Sequence, residues 1–144
     1  MADVSIEINL HGGEPVLDMR RYRPGDVLSG DVIIYPNQEI DARHIYIRLL
    51  WHTAGRGTKF EQKEEELDVY QGTLMSGMPS SYSFQFAIPE QPWSYEGHYI
   101  KVIWKVEVSI DLSWARDPNQ EQMILVEPDR TGVVNNDDGY ASFY

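Results

Sequence analysis

The side chains that most often carry out catalysis or bind metals are few in this sequence and widely separated. The chain contains four histidines and no cysteine, so it has no thiolate nucleophile and no cysteine-bound zinc. His44 and His52 share strand parity, but eight residues of extended chain separate them by roughly 26 Å. His98 has neither a nucleophile-elbow serine nor a zinc-binding helical motif to act with. We therefore expect no enzyme activity, no catalytic residue, no metal and no cofactor.

Carboxylates are abundant, but their spacing does not match a known ligand loop. Glu61 and the run Glu64–Glu66 lack the alternating Asp/Asn pattern and the tight glycine turn of a calcium loop. The oxygen-rich run Asn135–Asp138 lies near the end of the chain, where we expect little order. The glutamate run is more typical of a solvated face or of charge that protects a sheet edge.

The charge balance excludes some partners. A net charge of −11 disfavours nucleic acids and anionic membranes, and it favours basic protein partners. The one close cluster of positive charge is Arg20, Arg21 and Arg23. These arginines could bind a phosphate or carboxylate of a partner. The interpretation we favour is that they form ion pairs within the chain, with Asp18, Asp26 or Asp31.

The aromatic residues fall into core and surface candidates. Trp51 and Trp104 fit the alternation of buried strands, so we expect both to pack in the core. Trp93, in a proline-containing loop, and Trp114, at a strand end, are candidates for partner contact. Three further aromatic candidates end the chain, namely Tyr140, Phe143 and Tyr144. They could add to a sheet edge as a strand, act as a docking motif, or belong to a frayed terminus.

Alternating patterns predict strands throughout the chain and no helix of useful length. The clearest strands are Val4–Leu10, Val27–Tyr35, Arg43–His52, Ser81–Ile88, Tyr99–Ser113 and Gln122–Val126, with shorter ones at Pro15–Leu17 and Leu67–Tyr70. Tyr99–Ser113 is long enough to serve two partners along its length, and Ala54–Glu66 reads as a loop or an irregular edge. Seven to eight strands without a helix predict an immunoglobulin-like antiparallel β-sandwich.

We expect one sandwich domain over residues 1–126 and an acidic, aromatic tail over 127–144. The first residues lack a basic segment followed by an apolar core, and no apolar run approaches the length of a membrane span. A soluble protein of the cytoplasm is therefore the expectation.

Two sequence blocks resemble the N-terminal sandwich of the arrestin-like superfamily. The first is Tyr22–Val32, YRPGDVLSGDV, which is similar to the family's proline-glycine turn followed by a strand with Gly-x-Val. The second combines Phe84–Pro89 (FQFAIP), Pro92–Gly97 (PWSYEG) and Ile103–Val108 (IWKVEV). The resemblance covers most of residues 3–126 and implies an arrestin-type sandwich that binds proteins and is not an enzyme.

The chain departs from receptor-coupled arrestins in three respects. Its first strand has no lysine, Arg21 stands where the family has an acidic residue of a buried charge network, and there is no second sandwich. The resemblance is therefore closer to retromer-type adaptors, α-arrestins and bacterial sporulation-control proteins.

Our leading hypothesis is a non-enzymatic adaptor or scaffold domain. It would bind protein partners through sheet edges, the Ala54–Glu66 segment and the C-terminal tail. One alternative is a carbohydrate or small-ligand binding sandwich that uses Trp93 and Trp114. Another is a structural subunit that forms a homodimer or a larger assembly through its edge strands.

Overall fold

The computed structural model describes residues 3–57, 59–113 and 115–128, and every regular element in them is a β-strand. The strands, numbered in chain order, are β1 (Val4–His11), β2 (Glu14–Val16), β3 (Met19–Tyr22), β4 (Val27–Pro36), β5 (Ile40–Gly55), β6 (Glu61–Leu74), β7 (Ser80–Ala87), β8 (Tyr95–Glu96), β9 (Ile100–Leu112) and β10 (Asn119–Val126). These described residues contain no helix that could cross a membrane.

The smaller of two sheets consists of three antiparallel strands in the order β1–β4–β7. In its middle strand, β4, buried Leu28, Val32 and Ile34 alternate with more exposed residues, so one face of the sheet is hydrophobic. Gly30 lies on that face, and a Cβ there would come within 2.8 Å of the ring of Phe84. Glycine at this position therefore leaves room for the Phe84 ring.

The larger sheet has the order β2–β3–β10–β9–β5–β6, and β8 also pairs with β9. Its strands are antiparallel except for β10 and β3, which run parallel through the pairs Leu125–Arg21 and Val126–Tyr22. On one side β9 pairs with β5 over its whole length, and on the other side it pairs with β8 and then β10. The prediction that this long strand serves two partners is confirmed.

The core lies between the two sheets. On β9 the side chains of Trp104, Val106, Val108 and Ile110 are fully buried because alternate residues of this strand face the small sheet. The indole N–H of Trp104 donates to the carbonyl oxygen of Pro92 at 3.0 Å, so the buried polar atom is satisfied. The expected all-β sandwich is confirmed.

The large sheet extends beyond the small one. β5 has 16 residues and β9 has 13, whereas the small-sheet strands have 8 to 10. At about 3.3 Å per residue, β5 is some 20 Å longer than β4. Exposure along β9 consequently rises from 0% at Trp104 to 42% at Ile100. We call this uncovered end the sheet tip, which consists of Gly55–Gly57, Lys59, Phe60, Tyr99 and Ile100.

Two expectations about the strands are corrected. Glu61–Glu66 is not a loop, because it forms the first part of β6, which lies at the edge of the large sheet. The register of β6 against β5 shifts at three places, so the irregular-edge interpretation is confirmed. Two short strands, β3 and β8, raise the number of strands among the described residues from the expected seven or eight to ten. β3 pairs with the distant strand β10, and β8 has only two residues, so local alternation reveals neither strand.

Candidate interaction surfaces

The arginine turn, Arg20–Asp26, is held mainly by contacts within the chain. Arg21 forms ion pairs with Glu14 of β2 and with Glu127, which follows β10. The guanidinium of Arg20 donates to the carbonyl oxygen of Gly12 at 2.7 Å, and the backbone N–H of Arg23 donates to the Asp26 carboxylate at 2.9 Å.

These contacts support ion pairing within the chain. The prediction of which acids pair with the arginines was partly wrong. Arg21 pairs with Glu14 and Glu127, and Asp31 lies 3.3 Å from His11 instead. The hydrogen bond to Glu14 is the main reason why the pKa of Arg21 is raised. The Glu127 side chain is only 9% exposed, so Arg21 compensates a carboxylate that is largely removed from water. That these arginines contact a partner stays a prediction.

The Trp93 loop connects β7 to β8 and is anchored at several points. Trp93 is half-buried, and its indole N–H donates to the carbonyl oxygen of Glu90 at 2.9 Å. The neighbouring Ser94 is buried and exchanges two hydrogen bonds with Val126, through its N–H and its hydroxyl oxygen. Trp93 therefore presents only part of its ring to a ligand, and its role in partner or sugar binding stays a prediction.

The glutamates of β6 have specific structural contacts. Glu64 accepts a hydrogen bond from the indole of Trp51 at 2.8 Å, and Glu65 accepts one from the backbone N–H of Ala87 in the neighbouring sheet at 3.2 Å. Glu66 pairs with Arg48, which lowers the pKa of that carboxyl group. Three of the four acids of this run therefore fix the edge strand to its surroundings, in addition to supplying the predicted edge charge.

The outer face of the large sheet carries a ladder of ion pairs. Arg48 lies between Glu66 and Glu107, and its guanidinium lies over the ring of Tyr46. Lys105 is buried on this face beneath Glu121, with 2.9 Å between the two charged groups. The cations of this face are therefore largely neutralised, and the chain's excess of carboxylates remains.

Two of the histidines on this face occupy different environments. His44 lies 2.6 Å from the Asp68 carboxylate. Burial alone would raise the pKa of Asp68, but hydrogen bonds from Gln71 and His44 outweigh it and lower that pKa. His52 is the opposite case. Its Nδ1 atom is buried without a hydrogen-bond partner among the described residues, and its pKa is lowered by burial first and then by Lys105 and Lys59.

A cavity of about 230 Å³ opens at the sheet tip. We call it the cationic cavity, and its principal lining residues are His52, Gly55, Arg56, Gly57, Lys59 and Ile100. The guanidinium of Arg56 lies 4.9 Å from the ring centroid of Tyr99, and the backbone N–H of Arg56 donates to the Tyr99 carbonyl oxygen at 3.0 Å. These contacts connect the β5–β6 turn to the start of β9.

The sequence indicated only part of this region. Ala54–Glu66 was a candidate binding segment, and the structure places its turn at the tip. Tyr99 and Ile100 were not identified as surface residues, because the alternation of β9 assigns Ile100 to the hydrophobic face. The one local signal was the pair of glycines that flank Arg56, both of which have positive φ.

Four of the predicted contact residues lie outside the described residues. They are Trp114, Tyr140, Phe143 and Tyr144, and the oxygen-rich run Asn135–Asp138 lies outside as well. Within residues 3–57, 59–113 and 115–128, no group of three or more His, Cys, Asp or Glu side chains could hold a metal ion.

The similarity of this chain to known proteins lies in its structure and not in its sequence. No model of a known protein family matches the sequence, and no curated protein does. The structure is similar to that of the sporulation control protein Spo0M from Bacillus subtilis, with a TM-score of 0.68 and 18% sequence identity. The similarity covers 90% of this chain and 51% of Spo0M, so the chain spans about half the length of that protein.

The likeness in structure, together with the two-sheet topology, shows that this chain has an arrestin-like fold. At 18% identity it shows the fold alone.

Proposed function

We propose that this chain is a non-enzymatic, arrestin-like adaptor or scaffold domain that binds other proteins. The observation that most supports this function is the sheet tip, where Phe60 is 52% exposed and Tyr99 is 56% exposed beside Ile100. Several exposed aromatic and aliphatic side chains at one end of a sheet are typical of a protein-interaction site. The uncovered end of a long sheet supplies such a surface.

Charge favours a particular kind of partner. The net charge of −11 attracts basic protein segments at long range, and the ion-pair ladder of the outer face leaves carboxylates in excess. We propose a partner whose apolar centre contacts the tip and whose basic residues contact the carboxylate-rich outer face of the large sheet. Nucleic acid is a poor candidate for the same electrostatic reason.

Other surfaces are secondary parts of the same proposal. Further contacts are assigned to the Trp93 loop, the arginine turn, and the predicted contact residues Trp114, Tyr140, Phe143 and Tyr144. The chain as given contains one sandwich, so we also propose that two copies could associate through edge strands. A cytoplasmic location and the division into a domain over 1–126 and a tail over 127–144 belong to this proposal too.

The test is affinity capture of partners from the native host with a tip variant, Phe60→Ser/Tyr99→Ser. The matched control is Met75→Ser/Met78→Ser, which removes two exposed apolar side chains from the β6–β7 turn at the opposite end of the sheet. We expect a specific partner with the wild-type chain and with the control, and its loss with the tip variant.

The other outcomes separate the alternatives. A partner retained by the tip variant but lost from a chain that ends at Val126 would assign recognition to the tail. Capture of only the chain itself, with a mass in light scattering that increases with concentration, would favour a self-assembling subunit. Quenching of tryptophan fluorescence by a glycan, without any captured protein, would favour the sugar-binding alternative.

A further inference from the structure

The cationic cavity differs from the rest of this acidic surface because no carboxylate lines it. Arg56 and Lys59 line it from the β5–β6 turn, and neither forms an ion pair with any described residue. Nearby lysines are neutralised. Lys101 lies 3.4 Å from Glu96, and Lys105 lies 2.9 Å from Glu121. Two full positive charges therefore remain available at one small concave site.

The backbone of the turn keeps the cavity open. Gly55 and Gly57 have φ of +128° and +89°, a region that residues with a Cβ rarely adopt. A Cβ on Gly55 would collide with the carbonyl oxygen of Tyr99, whereas a Cβ on Gly57 would meet no atom within 4 Å. The turn thus packs tightly against β9 on one side and leaves free space on the other.

Two neighbouring side chains, Tyr99 and His52, complete the surroundings of the two cations. The Tyr99 ring lies under the Arg56 guanidinium. This contact restricts the orientation of the guanidinium N–H donors before a ligand binds. His52 also lines the cavity and adds no negative charge to it.

We propose that the cationic cavity binds a phosphate group, supplied by inorganic phosphate or by a small soluble phosphate ester. A phosphate dianion matches the combined charge of Arg56 and Lys59, and its oxygens accept from both the forked guanidinium and the compact ammonium group. A carboxylate would neutralise only one of the two charges. Phosphate binding would be a further activity of the chain besides protein binding, and its measurement needs no protein partner.

The test is a titration of the full chain with inorganic phosphate. Binding is detected as changes in the amide signals of nuclear magnetic resonance spectra. The reference is sodium chloride at equal ionic strength. We expect saturable shifts at the amides of Gly55 and Gly57 with phosphate only. Arg56→Gln and Lys59→Gln should each raise the dissociation constant about tenfold, because each removes a charge-assisted hydrogen bond.

The matched control is Lys101→Gln, which removes a nearby lysine that pairs with Glu96 and does not line the cavity. We expect its dissociation constant to stay within about twofold of the wild-type value, because an exposed pair contributes little. An equal loss in Lys101→Gln and Lys59→Gln, or equal shifts with chloride, would overturn the proposal. The spectra themselves show whether each variant is folded.

A second experiment, on vesicle binding, distinguishes a soluble phosphate from a phosphate carried by a lipid. Neutral phosphatidylcholine vesicles with added phosphatidylinositol phosphate carry the same group on a lipid. We expect these vesicles to leave the protein unbound, since the net charge of −11 opposes approach to an anionic bilayer. Vesicle binding that Lys59→Gln removes, with no response to free phosphate, would overturn the assignment to a soluble phosphate.

Discussion

The arginine turn and the cationic cavity are two basic regions of an acidic molecule, and they differ in how their charges are used. Three arginines lie within four residues in the turn, yet Arg21 is neutralised by Glu14 and Glu127. In the cavity only Arg56 and Lys59 contribute full charges, and no described carboxylate pairs with either. The density of positive charge along the sequence is therefore a poor guide to the charge that a partner can reach.

Strand pairing explains the difference. The parallel register of β3 with β10 places Arg21 beside Leu125, two residues before Glu127, and its antiparallel register with β2 places it opposite Glu14. At the other end of the sheet, Gly55 pairs with Ile100, whose apolar side chain offers no charge. On that side, the pairing of β8 with β9 directs Glu96 to Lys101.

The largest effect that we expect concerns the backbone of the tip. Gly55→Ala should lower the free energy of unfolding by about 3 kcal/mol, because its positive φ is strained for alanine and the new methyl group collides with the Tyr99 backbone. Gly57→Ala should lower the free energy of unfolding by only about 1 kcal/mol, because its positive φ is strained for alanine but the new methyl group collides with no atom. Urea unfolding measures both values. Equal losses would show that the tip is not held against β9 as described.

The second prediction compares the two cationic regions directly. Arg21→Gln should lower the free energy of unfolding by about 2 kcal/mol, because it leaves the nearly buried Glu127 carboxylate without its cation. Arg56→Gln, at an exposed arginine without an ion pair, should change it by less than about 0.5 kcal/mol.

The double variant Arg21→Gln/Glu127→Gln sharpens this comparison. It should recover most of the loss, because it removes the uncompensated negative charge together with the positive one. Similar losses in Arg21→Gln and Arg56→Gln, measured in the same urea series, would contradict the view that only the turn uses its charge for stability.

The third prediction concerns the electrostatic potential in the cavity. Lys59→Gln should raise the pKa of His52, because Lys59 contributes, after burial and Lys105, to lowering it. A titration of the histidine ring signals by nuclear magnetic resonance measures the shift. Lys63→Gln is the control, since Lys63 pairs with Glu66 and is not among the residues that shift the His52 pKa. An unchanged His52 pKa in Lys59→Gln would mean that this lysine points away from the cavity.

The smallest expected effect is a dependence of stability on pH. The pKa of His52 in the folded chain lies below its ordinary value of 6.5, so the unfolded chain binds more protons between these two values. The free energy of unfolding should therefore fall as the pH drops below about 6.5 and level off below the folded pKa. His52→Gln should remove this component, and an identical pH profile in both chains would refute it.

Much of the fold could be predicted from local sequence. Alternation placed β1, β4, β7 and β9 nearly at their observed bounds, because a sandwich strand buries every second side chain. The acidic Glu61–Glu66 segment was assigned to a loop or an irregular edge, because glycine and a high density of charge favour loops. Hydrogen bonding of β6 to the central strand β5, together with the contacts of Glu64 to Trp51 and Glu65 to Ala87, outweighs that preference.

The sequence by itself determined the class of the protein: an all-β sandwich with a strong negative charge and no cysteine chemistry. Those properties follow from composition and from a period of two, which are local. Only the tertiary structure decided that Arg21 pairs with Glu127 and that Arg56 and Lys59 share an open cavity with His52. Such contacts depend on strand register between distant segments, and register is set by the packing of the whole core rather than by neighbouring residues.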